Sequence, residues 1–365
     1  KIKEIKEMSI DDINFDTSKL KPGKSSSICV IDSGIFMQHP LFRGVIGDSK
    51  TFYCSDDYRD NSNDYDGHGT AVASICEYGD FQHNDDFVPE IFLFNAKIHD
   101  GEYTATLDLW LKEIKSQLGD LPPNIIDAII LFCDEEITFE ELLSYFPKEQ
   151  QPYLKMTYSK YSDFYEKLIP NQMKEIVEYF YNNYGCRIYN LSQGDANYIF
   201  NGGKPKAWAC VLDELQYKYD IVFVVSTGNF LYERYDDNRN IKETYPYYFY
   251  KMKECKLIEP ANSASSITVG AISISDEIIN SPERLKVNVT CRNEISSITR
   301  IGPGVMNAIK PDFVAYGGDR GIEIDFSDKY RPIENKGLSK LLFNNDNQGL
   351  FTWNIGTSYA APYIS

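Results

Sequence analysis

Residues 356–362 read GTSYAAP, and this stretch decides how the rest of the sequence is interpreted. Small residues lie around Ser358, so the backbone of a bound substrate can come close to its hydroxyl. The run from Ser358 to Ile364 predicts the start of a helix, where free N–H groups and the positive dipole end favour developing negative charge. A serine is inert at neutral pH unless a base, itself held by a third group, takes its proton. We therefore expect one histidine and one acid in equally specific settings.

The histidine that fits this requirement is His68, which two glycines flank in the run DGHGT at 66–70. The apolar stretch Ala71–Cys76 follows at helical spacing, so we predict that His68 lies in the first turn of a helix and faces a cleft. The other three histidines have settings typical of surface or core residues: His39, His83 and His99.

The acid that fits is Asp32, which follows the apolar run Ile28–Ile31 and is followed by Ser33 and Gly34. Four β-favouring residues that end in such a turn predict a buried strand. In open α/β sheets, catalytic groups collect at the carboxyl ends of strands. A carboxylate there can accept an imidazole N–H and stabilise the imidazolium. Taken alone, Asp32 would fit a helix cap or a turn better than a catalytic role.

Three motifs together resemble those of the subtilisin-like serine proteases, the subtilases: DSG at 32–34, HGT at 68–70 and GTSYAAP at 356–362. Their chain order is Asp, His, Ser, which differs from the order in chymotrypsin-like proteases and in α/β-hydrolases. No Gly-x-Ser-x-Gly elbow surrounds Ser358. The resemblance implies a three-layer α/β/α fold with a mostly parallel sheet, here with insertions. It also implies a serine endopeptidase whose triad is Asp32, His68 and Ser358.

A fourth element agrees with this resemblance. The apolar run 220–225 predicts a strand and leads into STGN at 226–229. In subtilases the asparagine after such a strand donates its side-chain amide to the oxyanion, and Asn229 matches that residue. Considered alone, Gly228 and Asn229 would indicate only a turn.

The stretch 187–194 resembles the family strand that lines the substrate cleft, where an extended peptide pairs as an added strand. Two later stretches, 265–271 and 310–317, resemble further family strands. The resemblance implies that two short segments border the pocket for the residue before the cut, and the preference of that pocket is not readable. The segments comprise Leu191, Ser192, Gln193 and Gly194, together with Val225, Ser226, Thr227 and Gly228.

We divide the chain into an N-terminal arm, 1–24, and a catalytic domain, 25–365, which we expect to continue beyond the last residue. Insertions relative to compact subtilases are expected at about 100–170 and 230–258. The sequence of the first insertion predicts an amphipathic segment at 106–118, a strand at 125–132 and a Tyr-rich helical run near 153–168. It is either a decorated edge of the domain or a surface that binds a partner or gates the substrate.

Composition narrows the class of protein. The chain has 365 residues and a formal net charge of -17, without a basic stripe, which argues against nucleic-acid binding. It contains no apolar stretch long enough to span a bilayer. The eight cysteines form no C-x-x-C pair, so zinc is not expected. They favour reduced thiols in a cytoplasmic protein, the alternative being a secreted protein whose leader is missing from this sequence.

No cofactor or catalytic metal is expected. Structural calcium stays an alternative without identified ligands: the aspartate that some subtilases have after a His-Pro pair is absent from HPLF at 39–42, and the acidic loop 56–66 is typical of a solvated loop. Expected partners are a protein or peptide substrate and a regulatory protein. The rival function is a catalytically silent subtilase-fold module that binds peptides or a partner.

Overall fold

The structure is a computed structural model, and it describes residues 13–52, 62–81, 86–99, 114–119, 121–133, 139–162, 169–231, 241–279, 285–324, 330–346 and 349–365. The strands are β1 (Asn14–Phe15), β2 (Ser27–Asp32), β3 (Ile46–Thr51), β4 (Asp86–Phe87), β5 (Phe92–Lys97), β6 (Ile188–Leu191), β7 (Asp195–Ile199), β8 (Val222–Ser226), β9 (Ile258–Glu259), β10 (Ile267–Ile272), β11 (Leu285–Asn288), β12 (Phe313–Tyr316), β13 (Gly321–Ile324), β14 (Tyr330–Ile333), β15 (Lys340–Phe343) and β16 (Phe351–Asn354).

The α-helices are α1 (His68–Tyr78), α2 (Pro123–Cys133), α3 (Phe139–Ser144), α4 (Gln151–Ser162), α5 (Ile169–Tyr184), α6 (Ala207–Tyr219), α7 (Ile241–Thr244) and α8 (Tyr248–Lys251). Short 3₁₀ turns lie at Pro40–Phe42, Lys253–Cys255, Val305–Asn307, Thr357–Tyr359 and Ala361–Tyr363.

The centre of the molecule is a seven-stranded sheet in the order β12-β10-β8-β6-β2-β5-β3. Every neighbouring pair in this sheet is parallel. From β2 the chain first builds one side of the sheet, through β3 and β5, and then crosses to β6 on the other side. The carboxyl ends of β2 and β6 therefore flank a topological switch point, the usual place for a ligand crevice in such sheets.

Apolar side chains cover both faces of this sheet, because successive residues of a strand point to opposite faces. Cys29 and Ile31 of β2 pack in a core with α5 and α6. Ile28 and Val30 pack on the other side, with α1 and the β15–β16 hairpin. The predicted three-layer α/β/α fold with a parallel sheet is confirmed, and near-continuous apolar strands such as β2 are typical of sheets buried on both faces.

The first insertion has a small core of its own. Its described part is helical, and the buried apolar side chains from 114–118 and from α2 to α4 are Ile114, Ile125, Ala128, Ile129, Leu142, Leu143, Phe146 and Leu154. The strand predicted at 125–132 is wrong, because these residues belong to α2. That helix begins at Pro123, a residue well suited to a first helical position, and a short apolar run alone does not distinguish a strand from a buried helix. Residues 106–113 of the amphipathic segment lie outside the described part of the chain.

Candidate active site

Asp32 is the last residue of β2 and is 1% exposed. Its Oδ1 accepts hydrogen bonds from Ser33 N at 2.8 Å, His68 Nδ1 at 2.8 Å and Gln193 Nε2 at 3.1 Å. Burial raises the pKa of Asp32. The charge and hydrogen bond of His68, the charge of His99 and the Ser33 N–H act against burial and bring the pKa below its ordinary value of 3.8. Asp32 is therefore a carboxylate at neutral pH.

His68 is the first residue of α1, as predicted, and its side chain is 24% exposed. The helix begins close to the end of β2, and only glycine fits at the next position. A Cβ at Gly69 would collide with Gly34 O and would lie 3.1 Å from Asp32 Cβ. The close approach of Gly69 to Gly34 O places the first turn of α1 next to Asp32, so the imidazole reaches the carboxylate directly.

Asp64 fixes the loop that leads into α1, and nothing in the sequence motifs points to it. Its carboxylate is 1% exposed and receives five hydrogen bonds. Oδ1 accepts from Ser33 Oγ, Asp66 N and Gly67 N at 2.9–3.1 Å. Oδ2 accepts from Thr70 N at 2.8 Å and Thr70 Oγ1 at 2.6 Å. One buried side chain thus caps the helix and ties it to the residue after Asp32.

Several carboxylates act on the imidazole. Burial lowers the pKa of His68, but the charge and hydrogen bond of Asp32 and the charges of Asp66 and Asp64 outweigh it. The net effect holds the pKa of His68 above its ordinary value of 6.5. The imidazolium is therefore more stable here than in water, which suits a group that must accept a proton.

Ser358 lies in the 3₁₀ turn Thr357–Tyr359, and a second turn follows at Ala361–Tyr363. The predicted continuous helix is not formed in these residues. An α-helix would need an N–H at position 362 to donate to Ser358 O, and Pro362 has none. Ser192 Oγ donates to that carbonyl instead, at 2.9 Å. In return, Ser358 Oγ lies 3.1 Å from Ser192 O, within hydrogen-bonding distance.

Asn229 directly follows β8 and the turn at Gly228. Its Oδ1 accepts from Thr357 N at 2.9 Å and Thr357 Oγ1 at 3.0 Å. These two donors fix the orientation of the amide, because Oδ1 must face them and Nδ2 must face away. Arg300 holds the main chain at the same point by donating from Nε to Asn229 O at 3.0 Å.

His68, Asn229 and Ser358 line one open pocket of about 230 Å³. Arg320, Glu334 and Asn354 line the same pocket and make it largely polar. The three chain stretches singled out from the sequence therefore meet at the carboxyl edge of the sheet. An imidazole held by a buried carboxylate, a serine hydroxyl and an oriented amide face one space, and this is the set of groups that acyl transfer needs.

The sequence profile of the Subtilase family matches residues 23–365. The chain belongs to the subtilase family. An uncharacterized protein of Sinorhizobium fredii, y4bN, is 34% identical over 200 residues, which cover 54% of this chain and 46% of the relative. This chain thus covers just under half the length of that relative.

Among solved structures, the subtilase is similar to the S41 psychrophilic protease, with a TM-score of 0.47, 14% identity, and coverage of 100% of this chain and 80% of the other. It is also similar to the nisin leader peptidase of Lactococcus lactis, with a TM-score of 0.46, 15% identity, and coverage of 95% and 77%.

Two segments were expected to border the pocket for the residue before the cut. Some of their residues lie in the core and others lie in the cleft. Leu191 and Val225 are fully buried in the core beneath α5 and α6. Ser192, Ser226 and Thr227 are also buried, whereas Gln193, Gly194 and Gly228 reach the surface. Gln193 contacts the Asp32–His68 pair, since its Nε2 also lies 3.3 Å from His68 Nδ1. From the sequence, Gln193 was expected only to border the pocket, and its contact with the imidazole was not predicted.

Other expectations concern metals, cysteines and membranes. Within the described ranges, no group of three or more His, Cys, Asp or Glu side chains is placed to hold a metal ion. Part of the acidic loop 56–66 lies outside those ranges. The described thiols are free: Cys29, Cys76, Cys186, Cys210, Cys255 and Cys291. None of the helices in the described residues is both long and apolar enough to cross a bilayer.

Proposed function

We propose that this subtilase is a serine endopeptidase that hydrolyses peptide bonds through Asp32, His68 and Ser358. The observation that carries the proposal is the 2.8 Å hydrogen bond from His68 Nδ1 to the buried Asp32 carboxylate, in the pocket that Ser358 also lines. In the proposed reaction Ser358 attacks the scissile carbonyl and His68 takes its proton, then gives it to the leaving amine. Asp32 holds the tautomer of the imidazole and stabilises its charged form.

We assign stabilisation of the oxyanion to the Asn229 side chain and the Ser358 N–H. The orientation of the amide supports this role, because Thr357 occupies Oδ1 and leaves Nδ2 as the donor. Such donors act strongly when they are oriented before the charge develops. The expected substrates are proteins or peptides that pair with the segment after β6 as an added strand.

A second observation favours a gated form of the enzyme. Ser358 Oγ lies within hydrogen-bonding distance of Ser192 O, and its hydrogen must point to His68 instead when the serine reacts. Ser192 is the first residue of the segment expected to pair with substrate, so a peptide or a regulatory protein bound there would compete for its backbone and release the hydroxyl. A protein with the site locked permanently in this form would be a peptide- or partner-binding module.

The free thiols support a reducing compartment such as the cytoplasm.

The test is labelling by a fluorophosphonate probe, combined with hydrolysis of a protein substrate such as casein. The chain should be labelled and should cleave, and Ser358→Ala should lose both activities. Ser144→Ala, at an exposed serine that donates to Glu141 O, is the matched control and should keep both. Labelling that survives Ser358→Ala would place the nucleophile elsewhere. Labelling only with an added partner protein would establish gating, and its absence under every condition would favour the binding module.

A further inference from the structure

One isoleucine lies between the two segments that border the expected pocket for the residue before the cut. Each segment ends in a glycine, Gly194 or Gly228. A Cβ at Gly194 would lie 2.9 Å from Ile258 Cδ1 and 3.2 Å from Ile258 Cγ1. A Cβ at Gly228 would collide with Cδ1 of the same side chain and lie 2.7 Å from its Cγ1. The end of Ile258 is thus in contact with both walls at once.

The backbone around Ile258 is held on several sides. Strand β9, which begins at Ile258, pairs antiparallel with β7, and Ile258 O accepts from Ala261 N at 2.8 Å. The next residue, Glu259, accepts hydrogen bonds from Lys206 N at 2.8 Å and Ala209 N at 2.9 Å at the start of α6. Ile258 is 5% exposed. A side chain so confined cannot swing aside at little cost.

The methylene stem of Arg300 closes the space further. Arg300 Cδ would lie 3.3 Å from a Cβ at Gly228, and the side chain is fixed by its bond to Asn229 O and by a 3.0 Å bond to Lys256 O. Together, Ile258 and Arg300 fill the region between the two glycines with hydrocarbon. The 230 Å³ pocket beside Ser358 is lined by neither segment, so it does not supply the missing space.

We propose that Ile258 sets the substrate class of this protease by filling that pocket, so that the residue before the scissile bond must be glycine, alanine or serine. This inference rests on the proposed endopeptidase function. A substrate side chain of leucine or phenylalanine size would have to displace a packed, restrained isoleucine. The short side chains of glycine, alanine and serine need no such displacement.

The first experiment uses the unmodified chain and a set of peptides that differ only in the residue before the cut. We expect kcat/KM for alanine to exceed that for leucine at least about tenfold, and that for phenylalanine by more, since a single methylene changes discrimination by about 10–200-fold. The second uses Ile258→Val, which removes only Cδ1, and Ile258→Ala, which removes more of the same contact. Both should gain activity on leucine peptides, Ile258→Ala the more, with little change on alanine peptides.

Ile322→Ala is the matched control, because Ile322 is 1% exposed in a different sheet, β11–β13–β14. It should keep the wild-type ranking of peptides even if it lowers stability. A wild-type chain that prefers leucine or phenylalanine would overturn the inference and leave the endopeptidase function standing. An unchanged ranking in folded Ile258→Val would remove the role of Ile258. If Ile258→Ala does not fold, the wild-type and Ile258→Val rankings decide. Failure to cleave any peptide and to label with a fluorophosphonate, both alone and with an added partner protein, would overturn both proposals.

Discussion

Asp64→Asn tests whether the buried carboxylate before α1 holds the candidate site together. Asparagine offers one side-chain oxygen, so its NH₂ group must face either Thr70 or the donors of Asp66 and Gly67. The amide keeps more hydrogen bonds when its oxygen faces the donors of Asp66 and Gly67. In that orientation the two donors of Thr70, which is fully buried, lose their acceptor. Hydrogen bonds to a charged acceptor contribute about 1.5–3 kcal/mol each, so the free energy of unfolding should fall by about 3–6 kcal/mol.

Thermal unfolding measures this loss. At about 2.1 cal/mol/K per residue, a chain of 365 residues has an unfolding entropy near 0.8 kcal/mol/K, so the melting temperature should fall by about 4–8 °C. The rate of fluorophosphonate labelling should fall as well, because the loop that positions His68 loosens. Asp16→Asn, at an exposed aspartate that accepts two hydrogen bonds from Ser18, is the control and should melt with the wild type. The reasoning fails if Asp64→Asn also melts with the wild type.

Two further predictions concern the proposed reaction. The pKa of His68 is raised above 6.5, so His68 becomes protonated at pH values where a free histidine is still largely neutral. Protonated His68 cannot act as a base, and the acid limb of kcat/KM should therefore lie above pH 6.5. Asp66→Asn removes one of the charges that raise this pKa and should move the limb to lower pH, whereas a limb that stays in place would exclude His68 as the titrating base. Asn229→Ala should lower kcat about 10²–10³-fold with a much smaller change in KM, as removal of an oxyanion donor does in a related protease. Steady-state kinetics on one peptide check this, and an unchanged kcat would remove Asn229 from the oxyanion site.

The groups proposed to react could be singled out from the sequence because each lies in a stretch with a strong local signal. Asp32 ends an apolar strand, and His68 begins an apolar helix next to glycines. The parallel sheet follows from such strands, since continuous apolar runs need cover on both faces. Local signals failed where a run was short: residues 125–132 are apolar enough for a strand, but the register that decides between strand and helix is set by packing within the insertion.

Residues that contact the groups proposed to react were harder to find, because their partners are distant in sequence. Gln193 donates to Asp32 across 161 positions, and no periodicity in either segment signals that pairing. Ile258 is an ordinary apolar residue in the sequence, and its meaning comes only from the two glycines that it contacts. Family motifs therefore locate the atoms proposed to react, whereas Ile258, the side chain proposed to restrict the substrate, is placed by contacts particular to this chain. Substitutions at Ile258 should for that reason change which peptide is cut, whereas substitutions at Ser358 should change whether any is.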